Sequence, residues 1–344
     1  MNFAVVGCGS MGNRRIRYIQ HLKAGEIFAY DIRSDRMAEV REKYAIQTVN
    51  SVQDLIDKAP AAIFICVPPA EHMYYLQLAT QHGWHFMTEQ PISHSIDGLE
   101  TIFDATHNKN LISHVSCNMR FHQAVVKMKE LIDNDAIGPV LSGVVEVGEW
   151  LPDWHPYESY ADYYPAKKSK GGGLDAICDL EWLINLFGPV SRMACLAGRR
   201  STLTIDTDDV VQILLEFQTG PQVSLHTDML QRVFEHKAKF IGEKGLIICD
   251  WVTQKVSLYQ ADTKKWRTID GDVGPVHLES MKMKPGLEWV EPMYLEDSRV
   301  FIKRIQRKDS STASLKDGIE NLRLVLQALA CNSQNVVWQN SAIA

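Results

Sequence analysis

Gly7-Cys8-Gly9-Ser10-Met11-Gly12 follows the apolar run Phe3–Val6 directly and opens an amphipathic stretch, Met11–His21. In this setting the first glycine makes the strand-to-helix turn, the second lets backbone approach a pyrophosphate, and the third permits close helix–strand packing. Ser10 and Met11 stand in the first helical turn, where free N–H groups and partial positive charge suit phosphates. Asp31 lies 19 residues beyond Gly12, at the end of a second apolar run. A carboxylate there accepts from a ribose 2′-hydroxyl and repels a 2′-phosphate, which favours NAD over NADP. Arg33, two residues on, fits either a 2′-phosphate or stacking on adenine.

The same alternation continues outward from this unit. Strands are expected at Phe3–Val6, Ile27–Asp31, Ile46–Val49, Ala62–Cys66, His85–Thr88 and Leu111–Ser116. Helix-period stretches lie between them at Met11–His21, Asp35–Tyr44, Val52–Asp57, Glu71–His82 and Ile96–Asn108. Strands separated by crossover helices predict an α/β, doubly wound parallel sheet of the Rossmann type over residues 1–119.

After Arg120 the period changes. A helix is expected at Ala124–Asp133, then two-residue alternation at Ser142–Glu149, Met193–Leu196, Asp209–Gln218, Gln222–Met229, His236–Ile241, Gly245–Asp250 and Gln254–Gln260. Such alternation predicts a mainly antiparallel open sheet, with helices at Ala176–Leu186 and Leu315–Ala330 on its other face. Residues 120–344 are therefore expected to form an α+β domain.

The chain has 344 residues, enough for about two domains. Its net charge is −6, with 23% charged and 45% hydrophobic residues, an ordinary globular balance that offers no basic footprint for nucleic acid. Ala61–Val67, the longest apolar run, is far short of the roughly 20 residues that span a bilayer. Seven widely spaced cysteines without a CxxC pair point away from zinc or a redox dithiol, so no metal is expected. With no signal-peptide core at the N-terminus, a cytoplasmic protein is expected.

Further motifs carry a resemblance. Val67-Pro68-Pro69-Ala70-Glu71-His72, Thr88-Glu89-Gln90-Pro91, Asn118-Met119-Arg120-Phe121 and Gly171-Gly172-Gly173, in this order after the glycine motif, resemble the Gfo/Idh/MocA family of NAD(P)-dependent oxidoreductases. The resemblance implies hydride exchange with a sugar or cyclitol carbon. It assigns substrate binding and oligomerisation to residues 120–344, whose sheet often joins subunits into dimers or tetramers. It places Val67, Pro68, His72 and Glu89 around the cofactor. The stretch Gly148–Tyr160, which includes Trp154-His155-Pro156-Tyr157, is similar to family members that accompany the biosynthesis of sialic-acid-like sugars, which implies an acidic sugar or nucleotide-sugar precursor.

Two positions depart from the family. Gln90 replaces its lysine and carries no charge. After the Gly-rich turn, Asp175 matches the family aspartate, but the histidine position falls on Cys178 at three-residue spacing or on Asp179 at four. Three routes stay open: Cys178 or a near neighbour moves the proton; a residue of segment 154–170 does, His155 and Tyr163 among the candidates; or the chain binds NAD without turnover, as a scaffold or sensor. Gln90, Arg120, Trp154, His155, Lys168 and Asp175 are the substrate-contact candidates, Lys168 because three lysines gather ahead of the Gly-rich turn.

Overall fold

The computed structural model describes residues 1–155, 158–270, 291–307, 314–334 and 338–339; Pro156 and Tyr157 of the Trp-His-Pro-Tyr stretch lie outside them. Two compact units emerge. The first takes Met1–Cys117, Ser169–Gly171 and Leu295–Arg323, and the second takes Asn118–Lys168, Gly172–Tyr294 and Leu324–Ala344.

In the first unit, strands β1 (Asn2–Val6), β2 (Glu26–Tyr30), β3 (Gln47–Thr48), β4 (Ala62–Ile65), β5 (His85–Thr88) and β6 (Ser113–Val115) form a parallel sheet in the order β3-β2-β1-β4-β5-β6. Helices α1 (Ser10–His21), α2 (Ser34–Tyr44), α3 (Val52–Asp57), α4 (His72–His82) and α5 (Leu99–Asn108) are the crossovers. β1 and β4 are continuous apolar runs because both sheet faces are covered, and Phe3, Val5 and Phe64 are fully buried. The strand order reverses between β1 and β4, the place where α/β sheets open a ligand crevice.

The second unit opens with α6 (Gln123–Asp133), β7 (Val140–Gly148), α7 (Leu151–Trp154) and α8 (Ile177–Phe187). It continues with β8 (Val190–Gly198), β9 (Val210–Phe217), β10 (Gln222–Asp228), β11 (Glu235–Gly242), β12 (Gly245–Asp250), β13 (Lys255–Gln260) and β14 (Lys265–Asp270). With β15 (Trp338–Gln339) at one edge, nine strands lie in the order β14-β13-β12-β11-β7-β10-β9-β8-β15. All neighbours pair antiparallel except β7 and β10, which are parallel at the centre. Alternation in β9, Val-Val-Gln-Ile-Leu-Leu-Glu-Phe, buries every second residue, as a sheet covered on one face requires. Trp182 and Phe187 of α8 pack edge-on against Phe240 of β11 on that face.

The C-terminal part differs from the expectation. A helix without counterpart in the sequence reading, α9 (Glu291–Arg307), sends Phe301, Ile302 and Ile305 into the core around Phe3 and Phe64. The final helix, α10 (Leu315–Gln334), runs past Ala330, and its first turns also belong to the first unit, where the Leu315 N–H donates to Ser113 Oγ of β6 at 3.2 Å. Residues 120–344 therefore do not stand as one unit, because the apolar stripe of α9 fills a gap on the parallel sheet.

His122 caps α6: its Nδ1 accepts from the Ala124 N–H at 3.2 Å, which requires a bare nitrogen. Burial, with the nearby His236 charge adding to it, pushes its pKa down to about 3. On acidification the unfolded chain therefore takes up this proton near pH 6.5 while the folded chain does not, so stability falls between about pH 6.5 and 3. Moving from pH 7.5 to 5.0 should cost about 2 kcal/mol through His122 alone. Urea unfolding at both pH values checks this. His122→Asn keeps a capping acceptor and should flatten the dependence by that amount; an unchanged slope would contradict it.

Candidate active site

The glycine turn is built as the motif requires. Gly7 has φ +85°, and a Cβ there would lie 2.4 Å from the Cys66 carbonyl oxygen at the end of β4 and 3.1 Å from Val67 Cγ1. A Cβ on Gly12 would lie 1.8 Å from the Gly7 carbonyl oxygen, so helix and turn touch backbone to backbone. Gly9, ahead of α1, makes no side-chain cap, and the first turn with Ser10 and Met11 holds no acidic residue. Asn13 Nδ2 donates to the carbonyls of Cys8 at 2.8 Å and Gly9 at 3.1 Å and so ties down the loop's acceptors. Cys8 is inert: burial, with Asp31 beside it, pushes its thiol up to about 12.

Asp31 is buried, and each carboxylate oxygen accepts one backbone N–H: Cys8 to Oδ2 at 2.7 Å and Arg33 to Oδ1 at 2.8 Å. A carboxylate offers about four acceptor directions, so room remains for a ribose diol. The Arg33 side chain instead pairs with Asp35 at 2.6 Å. Asp31→Asn keeps the shape and removes the charge. Charge-assisted hydrogen bonds of about 1.5–3 kcal/mol predict NADH binding weakened roughly 10- to 100-fold, with NADPH gaining relative to NADH. Fluorescence titration of both cofactors checks this, and an unchanged NADH/NADPH ratio would contradict it.

Val67 and Pro68 follow β4, half-buried beside the Gly7 turn. His72, expected near the cofactor, is wholly buried: Nε2 meets the Val67 carbonyl at 2.8 Å, and Nδ1 sits 3.2 Å from both Thr88 Oγ1 and the Ile92 carbonyl. Burial lowers its pKa. It braces the loops after β4 and β5. Glu89 forms a fork with Arg15 of α1, Nε to Oε1 at 2.7 Å and Nη2 to Oε2 at 3.0 Å. Arg15 also reaches Asp297 at 3.2 Å, Ser116 at 2.7 Å and Ser298 at 2.8 Å, and His114 Nε2 meets Asp297 at 2.7 Å. Burial opposes the Arg15 charge, but Glu89 and Asp297 outweigh it and hold the guanidinium firmly protonated. Gln90 Nε2 contacts Cys117 Sγ at 3.2 Å, while Oε1 is buried with no hydrogen-bond partner. Such an orphaned carbonyl fits an amide N–H donor of a bound cofactor.

The second unit holds a cavity of about 280 Å³. Asn118, Glu149, Trp154, Asp175, Cys178 and Asp179 are among its walls, with Asp208, Asp209, Asp228 and His236. Asp175 Oδ1 accepts from the Tyr164 hydroxyl at 2.9 Å, while Oδ2 is buried without a hydrogen-bond partner. Burial raises the Asp175 pKa, and the Tyr164 hydrogen bond pulls it back in part. Among the described residues no lysine or arginine lines the cavity. Nor could any group of three or more His, Cys, Asp or Glu among them hold a metal ion.

Other candidates lie away from its walls. His155 Nε2 and the Tyr163 hydroxyl contact one another, their rings 4.3 Å apart edge to face, beside a cluster formed by Leu151, Leu203 and Ile205. Arg120 pairs with buried Glu181 of α8. Lys168 is exposed, and its backbone N–H donates to Asp206 Oδ1 at 2.6 Å. These three placements draw the residues into the scaffold or toward solvent.

His236 was missed. It sits on β11 in phase with Ala238 and Phe240, on the buried face. A histidine at a core position of an alternating strand is the signal that could have found it. Its ring stacks on Trp251, centroids 4.3 Å apart and 16° from parallel, and Nε2 is 2.9 Å from Asp179 Oδ1.

Residues 1–117 match the family model described as "Oxidoreductase family, NAD-binding Rossmann fold", and residues 125–248 match the GFO/IDH/MocA C-terminal domain. Among curated relatives, myo-inositol 2-dehydrogenase of Thermotoga maritima is 23% identical, covering 92% of each chain. Levoglucosan dehydrogenase of Pseudarthrobacter phenanthrenivorans is 22% identical over 80% of this chain and 78% of its own. Among solved structures, an Agrobacterium radiobacter oxidoreductase in complex with NAD+, L-tartaric acid and magnesium superposes with TM-score 0.87 at 16% identity, covering 100% of this chain and 99% of that one. With both domain models matched in order along one chain, the protein is a member of the GFO/IDH/MocA family, an oxidoreductase with an NAD-binding Rossmann domain.

Proposed function

We propose that the chain interconverts a carbinol and a carbonyl on a neutral sugar or polyol, using NAD(H). The observation that carries this reading is the cavity wall, where Asp175, Asp179 and Asp228 stand and, among the described residues, no lysine or arginine is present. Carboxylates accept hydrogen bonds from sugar hydroxyls and repel a substrate carboxylate. Asp175 Oδ2, lacking a hydrogen-bond partner, suits one hydroxyl, and the Trp154 ring suits the C–H face of a sugar. Gly7, Gly9, Gly12 and Asp31 would hold NAD, which supplies hydride acceptance when bound. The polyol and sugar dehydrogenases among the relatives support the same substrate class.

The acidic sugar implied by the Gly148–Tyr160 stretch is disfavoured by this wall, and Lys168 is not part of it. Reduced nicotinamide absorbance, followed with NAD+ and matched pairs of neutral sugars and their acid forms, tests the reading. Neutral substrates should have kcat/KM at least about tenfold above their acid counterparts, as one like-charge contact predicts. Preference for the acids would overturn it, and NADH binding without turnover would make the chain a scaffold.

Seven free cysteines suit the reducing cytoplasm. The open face of the second sheet, where Val144, Leu196, Leu214, Ile241 and Ile248 are 37–67% exposed, suits a second copy of the chain. By register, Val144, Ser224 and Leu214 share this face, as do Lys239 and Ile248. Light scattering should show a dimer or larger that Leu214→Lys dissociates; a monomeric parent protein would contradict this.

A further inference from the structure

Building on the oxidoreductase reading, we propose that His236, held against Asp179, exchanges the proton of the substrate hydroxyl. The family resemblance places a histidine on α8, where this chain has Cys178 or, at four-residue spacing, Asp179, and an ordinary thiol, with a pKa of about 8.5, relays protons poorly near neutrality. His236 arrives from a different element, β11, and lines the same cavity as Cys178 and Asp175. The chemistry has moved from helix to strand within one site.

The imidazole is prepared for the task. Stacking on Trp251 fixes its plane. Asp179 is fixed in turn, since Trp182 Nε1 donates to its Oδ1 at 2.9 Å. His236 Nε2 is 2.9 Å from that same oxygen and is buried against it. Nε2 carries the proton that faces this carboxylate, so Nδ1 is the nitrogen left to accept from a hydroxyl, while the adjacent carboxylate stabilises the imidazolium that forms. The alternatives are weaker. His155 and Tyr163 do not line the cavity, and Tyr164 donates its hydroxyl to Asp175, with burial raising its pKa well above the usual phenol range.

In the oxidation direction, NAD+ held by the glycine turn and Asp31 would supply hydride acceptance, taking the carbinol C–H hydrogen with its electron pair. The O–H bond breaks, its electrons form the C=O bond, and the proton forms an N–H bond at His236 Nδ1, the nitrogen that does not face Asp179. Carbonyl product, NADH and an imidazolium result, and the imidazolium loses its proton to water before the next turnover. The titratable groups around the ring are Asp179 on α8, the neutral His122 at the start of α6, and the cavity carboxyl groups of Glu149, Asp175, Asp208 and Asp228. Asp209 also lines the cavity, with both oxygens taken by the backbone N–H groups of Arg200 and Ser201.

The test compares the parent protein with His236→Gln, Asp179→Asn and Cys178→Ser. General acid–base catalysis is worth about 10²–10⁴-fold, so His236→Gln should lose about 100-fold or more in kcat with NADH affinity unchanged. It should also lose the acid limb of the kcat/KM profile for oxidation. Asp179 is a positioning residue, and Asp179→Asn should move that limb. Cys178→Ser should leave it in place. An independent readout is the His236 imidazole NMR signal, assigned by its absence in His236→Gln, which should shift when a polyol saturates the NADH-loaded protein. Unfolding temperature and NADH binding show that the variant is folded. A folded His236→Gln with parental kcat and pH profile would overturn the proposal alone. Failure of the parent to turn over any polyol would overturn it together with the oxidoreductase reading.

Discussion

Arg15→Ala should destabilise the protein by about 3–5 kcal/mol, because it leaves the carboxylates of Glu89 and Asp297 without their buried counter-charge. Arg15 and Asp297 are fully buried, and their network also takes in Ser116, Ser298 and His114. Burial alone would raise the Asp297 pKa, but His114, Arg15 and the Ser116 hydroxyl outweigh it and hold it below the ordinary range. This contribution is therefore complete above about pH 4, the unfolded carboxylate pKa, and is lost below that. Urea denaturation at pH 7 measures the loss. Combining Arg15→Met with Asp297→Asn and Glu89→Gln removes all three charges and should recover part of it. A cost below about 1 kcal/mol for Arg15→Ala would show that the network carries little stability.

Gly12→Ala should weaken NADH binding by about 100-fold or more. The added Cβ would stand 1.8 Å from the Gly7 carbonyl oxygen, and a backbone atom cannot step aside as a flexible side chain can. The turn must shift, and with it the N–H groups at the start of α1; losing two such bonds to a phosphate costs about 3 kcal/mol or more. Isothermal titration with NADH checks this. Affinity within threefold of the parent would mean that the turn does not cradle the cofactor.

The first unit was legible because its signals are local. Strands buried on both faces read as unbroken apolar runs, and the residues on either side of Gly7–Gly12 fix where one strand ends and a helix begins. Asp31 was equally legible, since its place depends on one strand and one turn. Contacts made at long range were not. Nothing near Glu291 announces that Asp297 and Ser298 meet Arg15 some 280 positions earlier, although Arg15 follows the glycine motif closely. His236 was hidden for the same reason. Helix spacing from Asp175 points to Cys178 or Asp179, and the other candidates stand in segment 154–170, whereas the imidazole that meets Asp179 comes from a strand more than fifty residues downstream. His72 shows the converse, since a motif position implied a cofactor contact and the fold uses the ring to join Val67 to Thr88 and Ile92.

The central claim is that this chain moves a hydride between a neutral polyol carbon and NAD. Incubating the protein with NAD+ and a neutral sugar or cyclitol deuterated at its carbinol carbons, then analysing the nicotinamide by mass spectrometry, tests that transfer directly. The account predicts reduced cofactor one mass unit heavier than NADH, formed in step with the carbonyl product. Reduced cofactor without the label, or no reduced cofactor from any neutral polyol while NADH still binds, would contradict it.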